Sequence, residues 1–315
     1  MMSLTETHTV PPQEKPLRLQ EYGVGIFKAA ATKSALKKLL KKGCIKINGL
    51  PASTATWIKG GGVLTLEIPQ EHKNQKKLNL ALNVLYEDDF LAVVHKPAGI
   101  LVSGNSFKTL ARALPQNLNE SSLADACTPQ PAHRLDYATT GAVLVGKTRG
   151  SIRQLNLLFE NKAISKIYYA VTIGVMPTSG NINTPVDGKE AISTYIVEAS
   201  VASPRFKQLN LVRLQPQTGR RHQLRKHLAG IGHPILGDRD YCPKELLLQG
   251  KGMYLHAFSL RFNHPQKLQP VAITAPLPQK FLKLFPNSNK DMLELRDTAS
   301  GNENTDTSSF KKPLK

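Results

Sequence analysis

The stretch His133–Gly141 reads HRLDYATTG. It sets a histidine, an arginine and an aspartate ahead of a turn-like Thr-Thr-Gly. Three readings of Asp136 compete: a solvated carboxylate, a metal ligand, or a reacting group steered by its basic neighbours. A lone aspartate is most often a cap or a surface charge, and two basic neighbours do little to change that. The metal reading is weak, because His133 and Asp136 are the only candidate ligands in the stretch. His222 and His227 do not add to it: five residues apart on a helix, they point about 140° away from each other.

The steered reading gains weight from a second cluster downstream. Thr218–Leu228 reads TGRRHQLRKHL, a glycine turn entering a helix. Arg221 and Arg225 stand at i, i+4 and His222 and Arg225 at i, i+3, so one helix face is strongly cationic. From Ala199 to Gly237 there are seven Arg or Lys and no acid. A purely structural surface would scatter acids among them to offset the repulsion. Clustered arginines of this kind suit a phosphate or a carboxylate.

Composition points the same way. The 315 residues carry 42 Lys plus Arg against 23 Asp plus Glu, a net charge of +19, which suits a polyanionic partner. A hydrophobic content of 40% is enough for a buried core, and the length allows one large domain and a small one. Cys44, Cys127 and Cys242 are odd in number and contain no CxxC, so neither a disulfide framework nor a zinc ribbon is indicated. The expected location is the reducing cytoplasm. The start lacks an apolar signal core, and no apolar run approaches the ~18 residues of a membrane span, so no membrane partner is expected. Nothing suggests more than a monomer.

Residues 1–16, polar and with Pro11, Pro12 and Pro16, read as a flexible leader. Residues 17–68 read as a small module, 69–78 as a linker, 79–285 as the large domain and 286–315 as a disordered tail. In the small module TKSALKKLLKKG has helical spacing, with Thr32 or Ser34 as cap and Gly43 as stop. CIKING alternates like a strand and ends in an Asn48-Gly49 turn; VLTLEI is a further strand. In the large domain VLYEDDFLAVVHKPAGILV reads as two strands and a turn, AVLVGKT as a buried strand, and SIRQLNLLFENKAI as an amphipathic helix. KIYYAVTIG, STYIVEASVAS, KQLNLVRLQP, MYLHAFSLRF and VAITAPL read as strands, and 104–130 as loops with short helical pieces. The class is α+β, with more strand than helix.

From Lys28 to Lys46 there are seven lysines and no acid. Lys37, Lys38, Lys41 and Lys42 form a basic ridge beside the apolar stripe of the helix, which favours RNA over a merely soluble surface. The basic helix, GCIKINGLPASTA and GGGVLTLEI resemble the S4 RNA-binding domain over roughly fifty residues.

HRLDYATTGAVLVGKT in turn resembles the HRLDxxTSG signature of the RluA branch of pseudouridine synthases, with Thr140 where Ser is usual. VLYEDDFLAVVHKPAGI resembles that family's first motif, KIYYAVTIG its Lys-x-Tyr-x-Ala strand, and TGRRHQLRKHLAGIGHPILGDRDY its Thr-Gly-Arg-x-His-Gln-Leu-Arg motif and the run that follows. The four motifs occur in order over about residues 83–277. The resemblance implies a pseudouridine-synthase-like domain with a mixed, mostly antiparallel sheet, behind a small S4-like α/β module. It implies that Asp136 is the catalytic aspartate and that Arg225 pairs with it. Tyr168 would lie against the target base, and Arg134 would enter the RNA and hold the target nucleotide out of its stack. His133, Arg220, His222 and Lys96 are expected to contact substrate, with Lys96 also set beside a structural Pro-Gly turn. The Gly-His-Pro-Ile-Leu-Gly-Asp run is expected to form a shaped turn that buttresses the site, with Asp136 rather than Asp238 or Asp240 as the catalytic carboxylate.

Such chemistry suits these residue types. A carboxylate can attack the sugar or stabilise positive charge on it, and a neighbouring arginine keeps a buried carboxylate ionised. A tyrosine supplies a stacking face and a hydroxyl for proton transfer. Isomerisation needs no redox partner or group donor, so no cofactor and no metal are expected, and the chain has no Walker loop, no GxGxxG after a strand and no zinc set. The expected substrate is structured RNA, ribosomal RNA of the large subunit ahead of transfer RNA. The competing readings are a non-catalytic RNA-binding or ribosome-assembly factor and a metal-dependent hydrolase.

Overall fold

A computed structural model describes residues 4–68 and 78–286, which fall into two units. The expected linker lies outside the described residues except for Leu78, as does the expected tail beyond Pro286.

The N-terminal unit contains β1 (Leu4–Thr9), β2 (Leu17–Arg18), α1 (Leu19–Tyr22), α2 (Lys33–Lys41), β3 (Ile45–Ile47), β4 (Leu50–Pro51), β5 (Trp57–Ile58) and β6 (Val63–Ile68). Its main sheet runs β1-β6-β3-β4, and β2 and β5 form a separate ribbon. Thr32 caps α2, its hydroxyl accepting from the Ala35 N–H at 3.2 Å. Leu36 and Leu40 of α2 are buried with Leu19, Ile45, Ile58, Leu64 and Leu66. Asn48 (φ 49°) and Gly49 (φ 81°) turn β3 into β4, the paired positive angles that make Asn-Gly a hairpin signal. Trp57 is 56% exposed, with the Arg18 guanidinium 5.1 Å over its ring.

The expectation of a flexible leader over 1–16 is corrected here. Leu4–Thr9 pairs antiparallel with all of β6. LTETHT was opaque because this edge strand buries little on either face: Glu6 and His8 are half-buried, while Thr5, Thr7 and Thr9 are exposed. Ladder hydrogen bonds, suited by the threonines, hold it, and Val10 just beyond it is buried.

The larger unit contains β7 (Asn83–Glu87), β8 (Leu91–Lys96), α3 (Leu110–Ala113), β9 (Ala126–Pro131), β10 (Thr140–Thr148), α4 (Arg149–Glu160) and β11 (Ser165–Ile173). There follow β12 (Ser179–Ile182), β13 (Ser193–Ser203), β14 (Lys207–Pro216), α5 (Gln223–Gly230), β15 (Leu255–Asn263), β16 (Pro270–Thr274) and α6 (Gln279–Leu284). One sheet runs β12-β13-β14-β11-β15-β10-β8-β7, with β9 beside β10 and β16 beside β15. Every pairing is antiparallel except β10 with β15.

The centre of this sheet is covered on both faces, which is why β8 and β10 read as continuous apolar runs. Ala92, Val94, Val143 and Val145 pack on one side, with Leu110 and Leu114. Leu91, Val93, Ala142 and Leu144 pack on the other, against Leu155 of α4. The parallel contact matters most for the site. Gly141 (φ 121°) lies so close to β15 that a Cβ would run into the Ala257 backbone. Glycine alone lets β10 start there, directly after the loop that carries Asp136.

Candidate active site

Asp136 sits in the loop between β9 and β10. Leu135, buried in the core, anchors the loop from one side. The Thr139 N–H closes a turn onto the Asp136 carbonyl at 3.1 Å. Lys96 holds the loop from below. Its side chain is 0% exposed, and its Nζ donates to the carbonyls of Pro97 (3.0 Å), Tyr137 (3.3 Å) and Thr139 (2.8 Å). Burial pushes the Lys96 pKa down to about 8, against the pull of the nearby Asp136 carboxylate. Lys96 is therefore a scaffold under the site and not a substrate contact, which corrects the sequence expectation. The ammonium's donors are met by these three carbonyls, of which that of Tyr137 also accepts from the Gly99 N–H at 2.9 Å.

Arg225 comes from the first turn of α5, whose start is tightly specified. The Gln223 amide oxygen accepts from the Thr218 hydroxyl (2.7 Å) and the Arg220 N–H (3.0 Å), while its Nε2 donates to the Ile192 carbonyl (3.0 Å) and Ser193 Oγ (2.9 Å). His222 precedes the helix in a left-handed conformation (φ 57°), a strained one for a histidine. The turn and the helix then bring His222 and Arg225 to the same carboxylate. Arg225 Nη1 lies 3.5 Å from Asp136 Oδ2, and His222 Nε2 lies 3.6 Å from Asp136 Oδ1.

These contacts are loose beside the others that Arg225 makes. Its Nε and Nη2 grip Asp238 at 2.7 and 2.6 Å, a bidentate pair, and Nη2 also donates to Asp240 at 2.6 Å. The Tyr241 ring lies under the guanidinium at 4.9 Å. Burial acts to lower the Arg225 pKa, but Asp238, Asp240 and Asp136 together hold it above its ordinary value. The expected Asp136–Arg225 pairing is present, but Asp238 fixes the plane of the fork. Asp136, 17% exposed, keeps lone pairs free for a substrate. Gly237 (φ 79°) sets Asp238 in place, passing so close to the Gly252 carbonyl that no side chain fits.

Tyr168 forms another wall of the pocket with Arg134, Thr139, Lys166, Arg220 and Arg221. A register shift between β11 and β15 falls between Ile167 and Tyr168, the kind of bulge that re-aims a side chain. The Tyr168 hydroxyl has no hydrogen bond among the described residues, and burial, then Asp136, raises its pKa, so it keeps its proton at neutral pH. The next residue, Tyr169, faces the opposite way, fully buried, with its hydroxyl on Glu198 at 2.9 Å. Arg134 is exposed at the rim. The Arg220 Nε is tied to the Glu190 carbonyl at 2.9 Å, so it meets the pocket with part of its fork spoken for.

His133 departs from expectation. Its Nε2 accepts from the Leu144 N–H at 3.0 Å and its ring packs on Phe159 at 4.8 Å, away from the pocket. Burial drives its pKa down to about 4, as an accepting, neutral ring requires. It pins the loop to β10 and does not touch substrate. Lys37, Lys38, Lys41 and Lys42 are exposed on α2 in the N-terminal unit.

Three residues that reasoning from the sequence had not assigned join the pocket or its support. Tyr241 donates to or accepts from His222 Nδ1 at 2.9 Å. Thr139 is buried with its hydroxyl unpartnered among the described residues. Lys166, half-buried, has no ionic partner among them, and burial lowers its pKa. The only hint of the Lys166 role was a basic residue two positions before Tyr168, on the same strand face.

Known proteins resemble this chain over most of its length. Residues 90–230, which hold Asp136, Tyr168 and Arg225, match the family model described as RNA pseudouridylate synthase. An uncharacterized RNA pseudouridine synthase of Aquifex aeolicus is 32% identical over 284 residues, covering 81% of this chain and 88% of that protein. The ribosomal large subunit pseudouridine synthase D of Vibrio cholerae is 30% identical over 309 residues, covering 88% and 93%. Among solved structures, human RNA pseudouridylate synthase domain containing 4 superposes with a TM-score of 0.52 at 28% identity, covering 64% of this chain and 90% of that one. Identity of 30% or more over more than four fifths of the chain, with the family model matched across the Asp136 loop and α5, identifies the chain as a member of the RNA pseudouridine synthase family, isomerases that act on RNA.

Proposed function

We propose that the chain isomerises particular uridines of large-subunit ribosomal RNA to pseudouridine in the cytoplasm, with its N-terminal unit serving as an S4-like grip on the folded RNA. The observation that carries the site assignment is Asp136, partly open to the pocket and flanked by Arg225 and His222 at 3.5 and 3.6 Å. The ribosomal substrate is supported by the relatives named for large-subunit activity.

In the reaction the bond from C1′ to N1 breaks, the uracil turns, and a bond from C1′ to C5 forms; the C5 proton leaves and N1 gains one, so no atom is lost. Asp136 supplies the carboxylate that acts on the sugar. Arg225, itself immobilised by Asp238, keeps that carboxylate oriented and complements its charge. Tyr168 lies along the base and holds a proton at its hydroxyl, placed for exchange at the ring. Lifting the target out of its stack costs a few kcal/mol, and Arg134 at the rim offsets part of this by filling the gap and meeting phosphate. In the N-terminal unit Lys37, Lys38, Lys41 and Lys42 contact phosphates.

The test is pseudouridine mapping after incubation of unmodified ribosomal and transfer RNA with the wild type and with Asp136→Asn. Modification at discrete ribosomal sites that vanishes in Asp136→Asn, with RNA affinity kept, is the expected outcome. Modified transfer RNA alone would move the substrate. Tight binding with no product from the wild type would favour an assembly factor.

A further inference from the structure

Beside the Asp136 pocket lies a second, wider opening of about 750 Å³, against 160 Å³ for the pocket. The two share Lys166, Thr218 and Arg220 as part of a common wall. The wider groove passes the C-terminal end of α4 and the ends of β11, β14 and β15. Phe159, Lys162 and Arg261 line it without reaching the pocket. Glu160 is the one acid among its described lining residues.

Three of its four lining cations are open to a ligand. Lys162, Lys166 and Arg261 have no ion pair or side-chain hydrogen bond among the described residues. Among the described cations of this unit that lack an ion pair or side-chain hydrogen bond, Lys166 stands out as half-buried where the others are exposed. An ammonium withdrawn from water without a partner, as in half-buried Lys166, is costly unless a ligand supplies one. Phe159 adds aromatic surface beside these charges. Cations that follow a backbone, with an aromatic ring for a base, are the composition of a single-strand nucleic-acid groove.

We propose that this groove holds the RNA strand adjoining the target uridine, with the connecting phosphate at Lys166 and the neighbouring nucleotide against Lys162, Arg261 and Phe159. Lys166 stands on the partition, where a strand leaving the pocket must cross. The neighbouring nucleotide is thereby unstacked together with the target, so the enzyme prefers uridines in loops where two consecutive bases are already free. The identity of the nucleotide in the first pocket rests on the pseudouridine synthase reading; the groove as an RNA contact does not.

The experiment uses the full chain carrying Lys162→Met with Arg261→Met, beside a control carrying Lys207→Met with Lys251→Met, both exposed and outside the groove. Lys207 begins β14, at the far end of that strand from the groove-lining Pro216. Dissociation constants for a large-subunit ribosomal RNA transcript are measured across salt concentrations, with the single-turnover rate at saturating RNA. The groove variant should bind roughly ten- to a hundredfold more weakly, as expected for lost charge-assisted contacts. Its salt slope should fall by about 1.4, the value for two phosphates of a single strand. The saturating rate should stay at the wild-type value. A loss no greater than in the control overturns the proposal, as does a fall in saturating rate with affinity intact. If the wild type makes no pseudouridine but the groove variant still binds weakly, the groove stands and the reading of the pocket falls.

Discussion

The two units are both rich in basic residues, and they use them in opposite ways. Residues 4–68 hold ten Lys or Arg against four acids, and Lys37, Lys38, Lys41 and Lys42 stand exposed along α2 with no ion pair among the described residues. In the larger unit Arg225 is buried and shared by three carboxylates. A lysine ammonium on a flexible stem meets a phosphate wherever one arrives, whereas a planar guanidinium clamped by carboxylates has one orientation. The first arrangement supplies attraction, and the second supplies geometry. Losing charges from α2 should therefore weaken RNA binding gradually, while disturbing Arg225 should break one constellation.

The largest expected effect separates the acids around Arg225. Asp238 is 0% exposed at its side chain and Asp240 59%, although both lie 2.6 Å from Nη2. Asp238→Ala should cost about 3–5 kcal/mol by leaving a buried cation half-paired. Asp240→Ala should cost under about 1 kcal/mol, as for an exposed pair. Urea unfolding of the two variants measures the difference, and equal losses would mean that Asp238 does not set the fork. Next comes Lys96→Met, which takes the Nζ donor from the Pro97 and Thr139 carbonyls, while that of Tyr137 keeps the Gly99 N–H. A stability loss of about 2–4 kcal/mol is expected, together with a fall in kcat that exceeds any change in KM. An equal rise in KM would restore Lys96 as a substrate contact.

Changing Lys37, Lys38, Lys41 and Lys42 to Gln should leave kcat alone and lower the salt slope of RNA binding by about 3. An unchanged slope would remove α2 from the RNA interface. The last expectation is a pH response. His133 and His256 are held neutral, with pKa values pushed down by burial to about 4 and about 3. Below the ordinary histidine value near 6.5 the unfolded chain takes up protons that the folded chain refuses, so both contributions are complete above that pH. They decline as pH falls toward 4 and 3. Unfolding midpoints measured between pH 7 and pH 4.5 should drop steadily, and less steeply in His133→Gln.

Much of the site was legible because it depends on short motifs. Asp136 and Arg225, 89 residues apart, do converge, and His222 meets the same carboxylate, but from the left-handed turn before α5 and not from the helix face that its i, i+3 spacing suggested. The strands of the sheet centre were legible from unbroken apolar runs, and α4 from its stripe. What escaped detection has a common cause: a residue type was visible but its direction was not. His133 and Lys96 are polar residues beside a reactive loop, and both turn inward to satisfy backbone groups that only the folded loop exposes. Leu4–Thr9 escaped for the reverse reason, as an edge strand held by its ladder and not by apolar burial.

Trp57 has a practical consequence. It is the only tryptophan in the chain, it belongs to the N-terminal unit, and its ring lies beneath Arg18 near solvent. Selective excitation of its indole thus reads out one unit alone, while the other contributes no indole signal. The emission is a native optical label: its denaturation curve times the loosening of the N-terminal unit, and the circular dichroism of the whole chain, followed in the same cuvette, shows whether the larger unit melts with it or later.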